Sequence, residues 1–448
     1  MLRPGQAVMV CAIALLVIGV VMVSSAKMAV QPLEPGADPV AAAATSGVTP
    51  KSIILSRSTA YMCLAVLAMF AASWLPVTRL APLSTKLCET PKRRLTVLGI
   101  GTLVLVAVLA SVYIPGIGRE VNGSSRWVNL RLPGLESVQP SEIAKWALIP
   151  LIAWYAGACA ASGGLRRFFV GLAPGLIAVG AISGFVVMED LGTGFLMGVV
   201  GCLLLVAGGA RLWHFLMFVP IGLAGVVYAI VESPYRLRRI TSFLDPFADP
   251  QGDGYHMIQS MSTVAGAGPF GRGLGHGLQK FGYLPEDTTD FLFAVICEEL
   301  GLAGATLVIT LMGALLWTLL GIVRRAELPV LKLIGLGVAA TFGLQACINL
   351  VVVTGMGPTK GIALPLISSG GTGWILTSAM LGLVVAIDRR AAARVEEIDE
   401  PAEIEDDAPL EGEIATDEDE RSEPPEIVVP RRVKPRVRIT PVPSNIAS

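Results

Sequence analysis

The chain has 448 residues, of which 53% are hydrophobic and 15% are charged. This composition excludes an ordinary soluble domain, because such domains carry about 25% charged residues. Several uncharged stretches are long enough for a helix to cross a bilayer, which takes about 20 apolar residues. The sequence therefore predicts a polytopic membrane protein.

Ten apolar segments predict about ten transmembrane helices, and hence an all-α, polytopic membrane helical bundle. Lys and Arg cluster in alternate connections, which the positive-inside rule assigns to the cytoplasm together with both termini. Residues 232–290 then form a large extracytoplasmic loop. The predicted spans are 7–28, 53–76, 95–114, 143–159, 168–187, 192–208, 213–231, 291–322, 333–353 and 372–388.

The end of the chain differs in charge from the rest. Residues 396–448 carry 16 acids and six bases, which leaves 19 acids and 28 bases in residues 1–395. The terminal segment has too few large apolar residues to build a core. We predict a membrane domain over 1–395 and a disordered cytoplasmic tail over 396–448. Both a docking segment for a partner or anionic lipid and a solvated tail without a specific role fit this composition.

Cysteine and histidine offer no cofactor signature. The seven cysteines lie nearly all within predicted spans, where small apolar packing is their simplest role. The three histidines lack the spacing of metal ligands.

Several bases stand in predicted outward segments, where the topology disfavours them. They include Arg126, Lys145, Lys280 and Lys360. Arg and Lys bind phosphate and pyrophosphate well, so the set indicates an anionic ligand at the outer face. For any single base, a lipid headgroup or a local ion pair is the simpler explanation.

Lys145 stands just inside its predicted span, after the segment "QPSE". An ionisable group at that place costs about 1 to 3 kcal/mol unless it is paired or close to water. The sequence therefore predicts a carboxylate partner or a ligand for Lys145.

The segment "YLPEDTTDFLFAVICEEL", residues 283–300, places carboxylates before and inside an apolar run. The pattern predicts a helix with Asp290 in its first turn at the outer face, where capping of the helix is the alternative role. Glu286 falls on the same stripe if the helix begins that early.

Glu298 and Glu299 lie on the order of 12 Å deeper in the predicted helix than Asp290. Unpaired carboxylates are costly at such a depth. We interpret both as buried partners of bases, with Lys145 as a candidate, that hold the helix in register.

Glycines crowd the segment "GAGPFGRGLGHG" at residues 266–277, which contains a G-x-G-x-x-G match. No strand precedes the match and the segment faces outward, so dinucleotide binding is rejected. We expect a tight external loop whose backbone approaches a ligand, with simple turn formation as the alternative.

Longer motifs carry a resemblance to a known family. They are "NGSSRWVNL" with "QPSEIAK", "EDLGTG", "RRITSFLDPFADPQGDGYHMIQSMSTVAGAGPFGRGLGHGLQKFGYLPEDTTDFLFAVICEELG" and "INLVVVTGMGPTKGIALPLISSGGTGWI". In this order they resemble the SEDS family (shape, elongation, division and sporulation), from the first span to about residue 390.

The resemblance implies a ten-helix membrane fold and a peptidoglycan glycosyltransferase. Such an enzyme polymerises lipid II into glycan strands outside the bacterial cytoplasmic membrane and releases undecaprenyl pyrophosphate. Its implied partners are lipid II, the nascent glycan, a class B penicillin-binding protein and other divisome proteins. No nucleic acid is expected.

The family pattern also implies roles for individual residues. Asp290 falls at the position of the catalytic aspartate of "PE..TDF", and Arg126, Lys145 and Lys360 fall at functionally important positions. We expect these three bases to hold pyrophosphates and Glu286 to support Asp290. Further substrate contacts are predicted at Gln279, Lys280 and Ser368, and structural support at Glu142, Glu298 and Glu299.

The chemistry fits these residue types. Extending a glycan from a lipid pyrophosphate needs a base near the attacking hydroxyl and cations near the departing pyrophosphate. Asp290 is expected to activate the acceptor 4-hydroxyl, either directly or through a divalent cation, Mg²⁺ or Mn²⁺. No cofactor is required by the sequence itself.

The branch within the family follows from shorter motifs. "GPTKG" and "GSSRW" resemble the division branch, the FtsW type, more than the elongation branch, the RodA type. The segments "MEDLGTG" and "SSGGTGW" depart from the usual "QPDLGT" and "SYGGSS". The second departure places Ser369 where the family has an aromatic residue, which affects packing or acceptor contact there.

Other functions stay open at this point. A lipid II flippase would place ionisable residues around a midplane cavity between related halves, whereas the acids and bases here concentrate at the outer face. A non-catalytic divisome scaffold would not need Asp290. An elongation-type polymerase differs from the division type in its place of action, and the division septum is the location that the motifs favour.

Overall fold

A computed structural model describes residues 3–28, 53–77, 90–121, 124–132, 135–160, 163–278, 288–359, 361–368 and 371–399. The described part is a bundle of helices with one small sheet. Its helices are α1 (Pro4–Met28), α2 (Arg57–Ser73), α3 (Pro91–Ala110), α4 (Pro140–Ala160), α5 (Ala173–Glu189), α6 (Leu191–Ala207), α7 (Leu212–Val231), α8 (Pro234–Leu244), α9 (Tyr255–Ala265), α10 (Leu292–Arg325), α11 (Pro329–Val353) and α12 (Thr372–Asp399).

Each of the ten predicted spans coincides with a helix, namely α1 to α7 and α10 to α12. Within the described ranges, six helices (α1, α3, α4, α5, α10 and α11) are long and apolar enough to cross a membrane on length and composition. The helices α2, α6 and α7 are shorter apolar helices. The helical membrane fold expected from the sequence is therefore confirmed.

Residues 400–448, which make up most of the predicted tail, lie outside the described residues. Helix α12 ends at Asp399, four residues beyond the predicted end of the membrane domain at residue 395.

Small residues let the helices approach closely. A side chain at Gly382 of α12 would collide with the carbonyl oxygen of Met69 in α2. Likewise, Gly19 of α1 faces the backbone of Leu366 and Ile367 in the segment before α12. Close backbone approach of this kind is how membrane helices gain packing energy, since lipid tails provide no hydrophobic driving force between helices.

A polar side chain sets the junction between α5 and α6. The carboxylate of Asp190 is buried and accepts hydrogen bonds from the backbone nitrogens of Gly192 (3.0 Å) and Thr193 (3.2 Å). These are donors at the first turn of α6 that the helix itself leaves without partners. The predicted outward connection at residues 188–191 is thus a sharp capped turn.

Residues 118–138 form an antiparallel sheet of three strands: β1 (Gly118–Val121), β2 (Ser124–Leu132) and β3 (Leu135–Val138). Arg119 pairs with Trp127, and Asn129 pairs with Ser137. The sheet was missed from the sequence, although Val128, Leu130 and Leu132 of β2 alternate with Asn129 and Arg131. The sheet fixes the backbone that carries Arg126.

Helix α10 is broken near its beginning, at Gly301, where φ is 66° and ψ is −161°. The loop before it supplies partners for the backbone groups that the break leaves open. Leu302 N donates to Gly268 O (3.1 Å), and the carbonyl oxygen of Glu298 accepts from Arg272 N (2.9 Å). The glycine-rich segment is therefore docked on the break as a tight loop.

Replacing Gly301 by Ala tests this docking. Alanine would have to adopt the positive φ of Gly301, and its Cβ atom would collide with the backbone of Gly271. We therefore expect the free energy of unfolding to fall by about 1 to 3 kcal/mol. Thermal unfolding of the purified protein in detergent measures it. Gly313→Ala in the same helix has open space around it and should leave the melting temperature unchanged. Equal melting temperatures for both variants would contradict the docking.

Candidate functional site

Asp290 lies in a turn at residues 288–290, directly before α10. The helix begins at Leu292 with Phe291 as its N-cap residue, and the Phe291 side chain makes no capping hydrogen bond. Asp290 therefore lies two residues before the helix and not within its first turn, and its predicted capping role stays a prediction. Asp290 is half-buried, and its backbone oxygen accepts a hydrogen bond of 2.8 Å from Asn349 Nδ2 of α11.

The segment between α11 and α12 lies against this turn. A Cβ atom placed on Gly361 would come within 3.1 Å of Asp290 Oδ2, so the absence of a side chain at this position leaves room for the carboxylate. The carbonyl oxygen of Thr359 accepts a hydrogen bond of 3.1 Å from Arg239 Nη1 of α8. Asp290, the 361–368 segment and α8 thus meet at one end of the bundle.

Four predicted site residues lie outside the described residues. They are Gln279, Lys280, Glu286 and Lys360.

Ser368 lies in the protein interior. Its side chain is 1% exposed, and its hydroxyl oxygen accepts a hydrogen bond of 3.0 Å from Leu364 N. This contact closes a turn at Leu366, which has a positive φ of 66°. In this conformation Ser368 stabilises the loop, and the predicted substrate contact stays a prediction.

Arg126 of β2 lines a small cleft with mostly apolar walls. Its other lining residues are Leu109, Val112, Pro140, Ser141, Phe185, Val186, Glu189 and Asp190. Tyr113 Oη donates a hydrogen bond of 2.7 Å to Glu189 Oε1 beside it.

Lys145 of α4 is 4% exposed and is already satisfied by protein groups. Its Nζ donates to Glu142 Oε1 at 2.7 Å and to Gln345 Oε1 at 3.0 Å. The predicted carboxylate partner is therefore Glu142, one helical turn earlier. A buried lysine in such a pair does not reach a pyrophosphate in this conformation, so Lys145 serves as an internal anchor.

The acids inside α10 contact the glycine-rich loop. Glu298 Oε1 accepts a hydrogen bond of 2.8 Å from Leu278 N and lies 3.6 Å from Arg272 Nε. Glu299 is fully buried; its carboxylate accepts from Ser25 Oγ (2.9 Å), and its Oε2 accepts from Gly275 N (3.0 Å).

The suggested pairing of these acids with Lys145 was wrong. Glu298 has a base nearby, Arg272, and Glu299 accepts hydrogen bonds from Ser25 and from the backbone of the glycine-rich loop. Both acids hold the loop that leads towards Asp290. Their structural role is thus to fasten this loop to α10, in addition to setting the register of the helix.

In the part of the chain that the structure describes, no group of three or more His, Cys, Asp or Glu residues could hold a metal ion. The divalent cation expected as an alternative at Asp290 stays a prediction.

Comparison with known proteins decides the family. The family model FTSW_RODA_SPOVE, described as cell cycle protein, matches residues 6–393. The chain belongs to this family. It is the family, SEDS, that the sequence motifs resemble.

Individual relatives agree with this membership. The chain is 38% identical over 382 residues to a probable peptidoglycan glycosyltransferase FtsW of Thioalkalivibrio sulfidiphilus, which covers 84% of this chain and 87% of the relative. It is 38% identical over 283 residues to the stage V sporulation protein E of Bacillus subtilis, covering 63% and 76%.

A solved structure supports the fold of this family member. A chain of a peptidoglycan synthase complex that coordinates polymerization and crosslinking superposes with a TM-score of 0.61. The two chains are 26% identical, and the match covers 86% of this chain and 98% of the other.

Sequence reasoning missed several residues that shape this SEDS site. Arg239 of α8, which donates to the carbonyl oxygen of Thr359, was not singled out, and neither were the amides Gln345 and Asn349 of α11. A signal was present, because two amide side chains at i and i+4 in an apolar span share one face of the helix. Buried polar groups in membrane helices usually have a specific partner.

The Lys145–Glu142 contact predicts a stability effect. Glu142→Gln removes the charged partner of a buried lysine, which should lower the free energy of unfolding by about 3 kcal/mol. The double variant Lys145→Met with Glu142→Gln should recover part of this loss, because no buried charge is left behind. Thermal unfolding in detergent measures the loss of stability in the two single variants and in the double variant.

The matched control is Glu232→Gln, at an exposed position after α7, which should not change the melting temperature. Additive losses in the double variant would contradict the pairing.

Proposed function

We propose that this chain is a peptidoglycan glycosyltransferase that polymerises lipid II into glycan strands at the outer face of the cytoplasmic membrane. One observation carries the proposal. The chain belongs to the SEDS family, and the carboxylate of Asp290 lies just before the first residue of α10, next to Gly361 of the segment that follows α11. A half-buried carboxylate with room beside it at Gly361 suits a general base.

The reaction assigned to Asp290 is proton removal. The carboxylate takes the proton of the acceptor 4-hydroxyl as that oxygen attacks the anomeric carbon of the donor sugar. A new glycosidic bond forms, the bond from the anomeric carbon to the pyrophosphate oxygen breaks, and undecaprenyl pyrophosphate leaves with the electron pair. General-base catalysis of this kind contributes about 10²- to 10⁴-fold in rate.

Bases around the site would hold the pyrophosphate groups. Arg126 lines a cleft beside the sheet, and Arg239 is fastened to the backbone next to Lys360. Two N–H groups of one arginine guanidinium can donate to two oxygens of the same phosphate. We assign pyrophosphate binding to Arg126 and Lys360, and assign to Glu142 and Lys145 the positioning of α4. The supporting role of Glu286 and the substrate contacts of Gln279 and Lys280 stand as further proposals.

The division branch is the favoured one. The motifs "GPTKG" and "GSSRW" support it, as does the relative named FtsW; the similarity to a sporulation protein and the RodA type are the alternatives. The protein would then act at the septum, in the inner membrane, with both termini cytoplasmic. Its partners would be a class B penicillin-binding protein and other divisome proteins.

Reconstitution tests the activity. The full chain, together with its partner transpeptidase, is placed in liposomes with lipid II, and glycan strands are resolved on gels. We expect ladders of polymer that depend on the chain. Translocation of fluorescent lipid II without any polymer would overturn the proposal in favour of a flippase, and neither activity would favour a scaffold.

The cleft predicts a substrate effect for Arg126. Arg126→Gln removes a charged contact to pyrophosphate, so the KM for lipid II should rise about tenfold, with a smaller change in kcat. Initial rates of polymerisation at varied lipid II concentration measure both constants. Arg167→Gln is the control, because Arg167 is exposed between α4 and α5. An unchanged KM for Arg126→Gln would contradict pyrophosphate binding in the cleft.

A further inference from the structure

Helix α11 carries two buried amide side chains on one face. Gln345 and Asn349 are one helical turn apart, and they are 8% and 2% exposed. A buried amide costs free energy unless its hydrogen bonds are made. Since α11 is apolar enough to span a membrane, the presence of both amides calls for specific partners.

Asn349 joins two distant parts of the chain. Its Nδ2 donates to the carbonyl oxygen of Asp290 at 2.8 Å and to the carbonyl oxygen of Ile362 at 2.8 Å. Both hydrogens of one amide nitrogen are thus used on backbone groups. As a result, the turn that carries the carboxylate and the segment after Lys360 are held to the same nitrogen.

Gln345 makes the corresponding contacts one turn away. Its Nε2 donates to the carbonyl oxygen of Ala363 at 2.8 Å, and its Oε1 accepts from Lys145 Nζ at 3.0 Å. The 361–368 segment is therefore fastened to α11 at consecutive residues. Through Gln345 the same segment is also connected to the Lys145–Glu142 pair of α4.

The geometry limits the position of the Asp290 carboxylate. Gly361 lies next to Ile362 in the chain, and a Cβ atom placed on it would lie 3.1 Å from Asp290 Oδ2. If the backbone at Ile362 moved away from Asp290, the wall on this side of the carboxylate would move with it. The hydrogen bonds of Asn349 oppose that movement.

We propose that Asn349 is a positioning residue for the glycosyl transfer, which acts by fixing the backbone of Asp290 against the 361–368 segment. The inference rests on the proposed function of Asp290 as the base. Asn349 is too deeply buried to contact substrate itself. Its amide oxygen accepts no hydrogen bond from the described residues, so the two donated bonds carry the effect.

Three variants separate positioning from folding. Asn349→Asp keeps the shape but replaces the two N–H donors by at most one O–H donor, and Asn349→Leu replaces the amide by an apolar group of similar volume without any donor. Thr341→Val is the matched control, because Thr341 is a buried polar residue two turns earlier on the same helix. All are compared with the unmodified full chain in liposomes with the partner transpeptidase.

Two assays are run for each variant. Lipid II polymerisation gives kcat, and lipid II binding gives the stoichiometry and the Kd. A misplacement of about 1 Å can cost on the order of 10²-fold in rate. We expect both Asn349 variants to lose about 10²-fold in kcat while lipid II binding stays unchanged. Thr341→Val should match the unmodified chain in both readouts.

Other outcomes overturn the inference. Normal kcat in Asn349→Asp would exclude a positioning role, and a parallel loss of binding stoichiometry and kcat would assign Asn349 to folding alone. An unmodified chain that forms no polymer would instead count against the proposed function.

Discussion

One side-chain nitrogen, Asn349 Nδ2, connects the carbonyl oxygens of Asp290 and Ile362. Inside a membrane bundle no bulk water is available to complete the hydrogen bonds of a buried turn, so other parts of the protein must do so. Here α11 supplies them, and the irregular backbone on both sides of the carboxylate is held as a result. The chemistry proposed for Asp290 depends on this internal satisfaction of polar backbone.

The same constraint explains the acids inside α10. The break at Gly301 opens backbone groups that a continuous helix would pair, and the glycine-rich loop pairs them. Glu298 and Glu299 then accept hydrogen bonds from amides of that loop. A carboxylate accepting backbone N–H groups is a strong contact. The loop is therefore attached both through its backbone and through these two side chains.

Much of the fold could be predicted from the sequence, because transmembrane length and hydropathy are local properties. All ten spans coincide with helices for this reason. The start of α10 was predicted too early, because residues that can cap a helix can also form a turn, as they do before Leu292. The three-stranded sheet was missed because the alternation of β2 is confined to "VNLRL" and its partners β1 and β3 have only four residues each.

Side-chain partners were harder to predict than helices. A carboxylate partner for Lys145 was expected from the cost of burial, and Glu142 is found at 2.7 Å. The choice of Glu142 over Glu298 or Glu299 needed the three-dimensional packing. The spacing of the α11 amides marks one polar face in an apolar run, but the contacts in the structure were needed to show which backbone groups they hold.

The most direct measurement of the central claim compares Asp290→Asn with the unmodified chain in lipid II polymerisation. The variant keeps the size of the side chain and removes the base. The account predicts a loss of at least about 10²-fold in the initial rate, with the melting temperature and lipid II binding unchanged. Polymerisation by Asp290→Asn at the rate of the unmodified chain would contradict it.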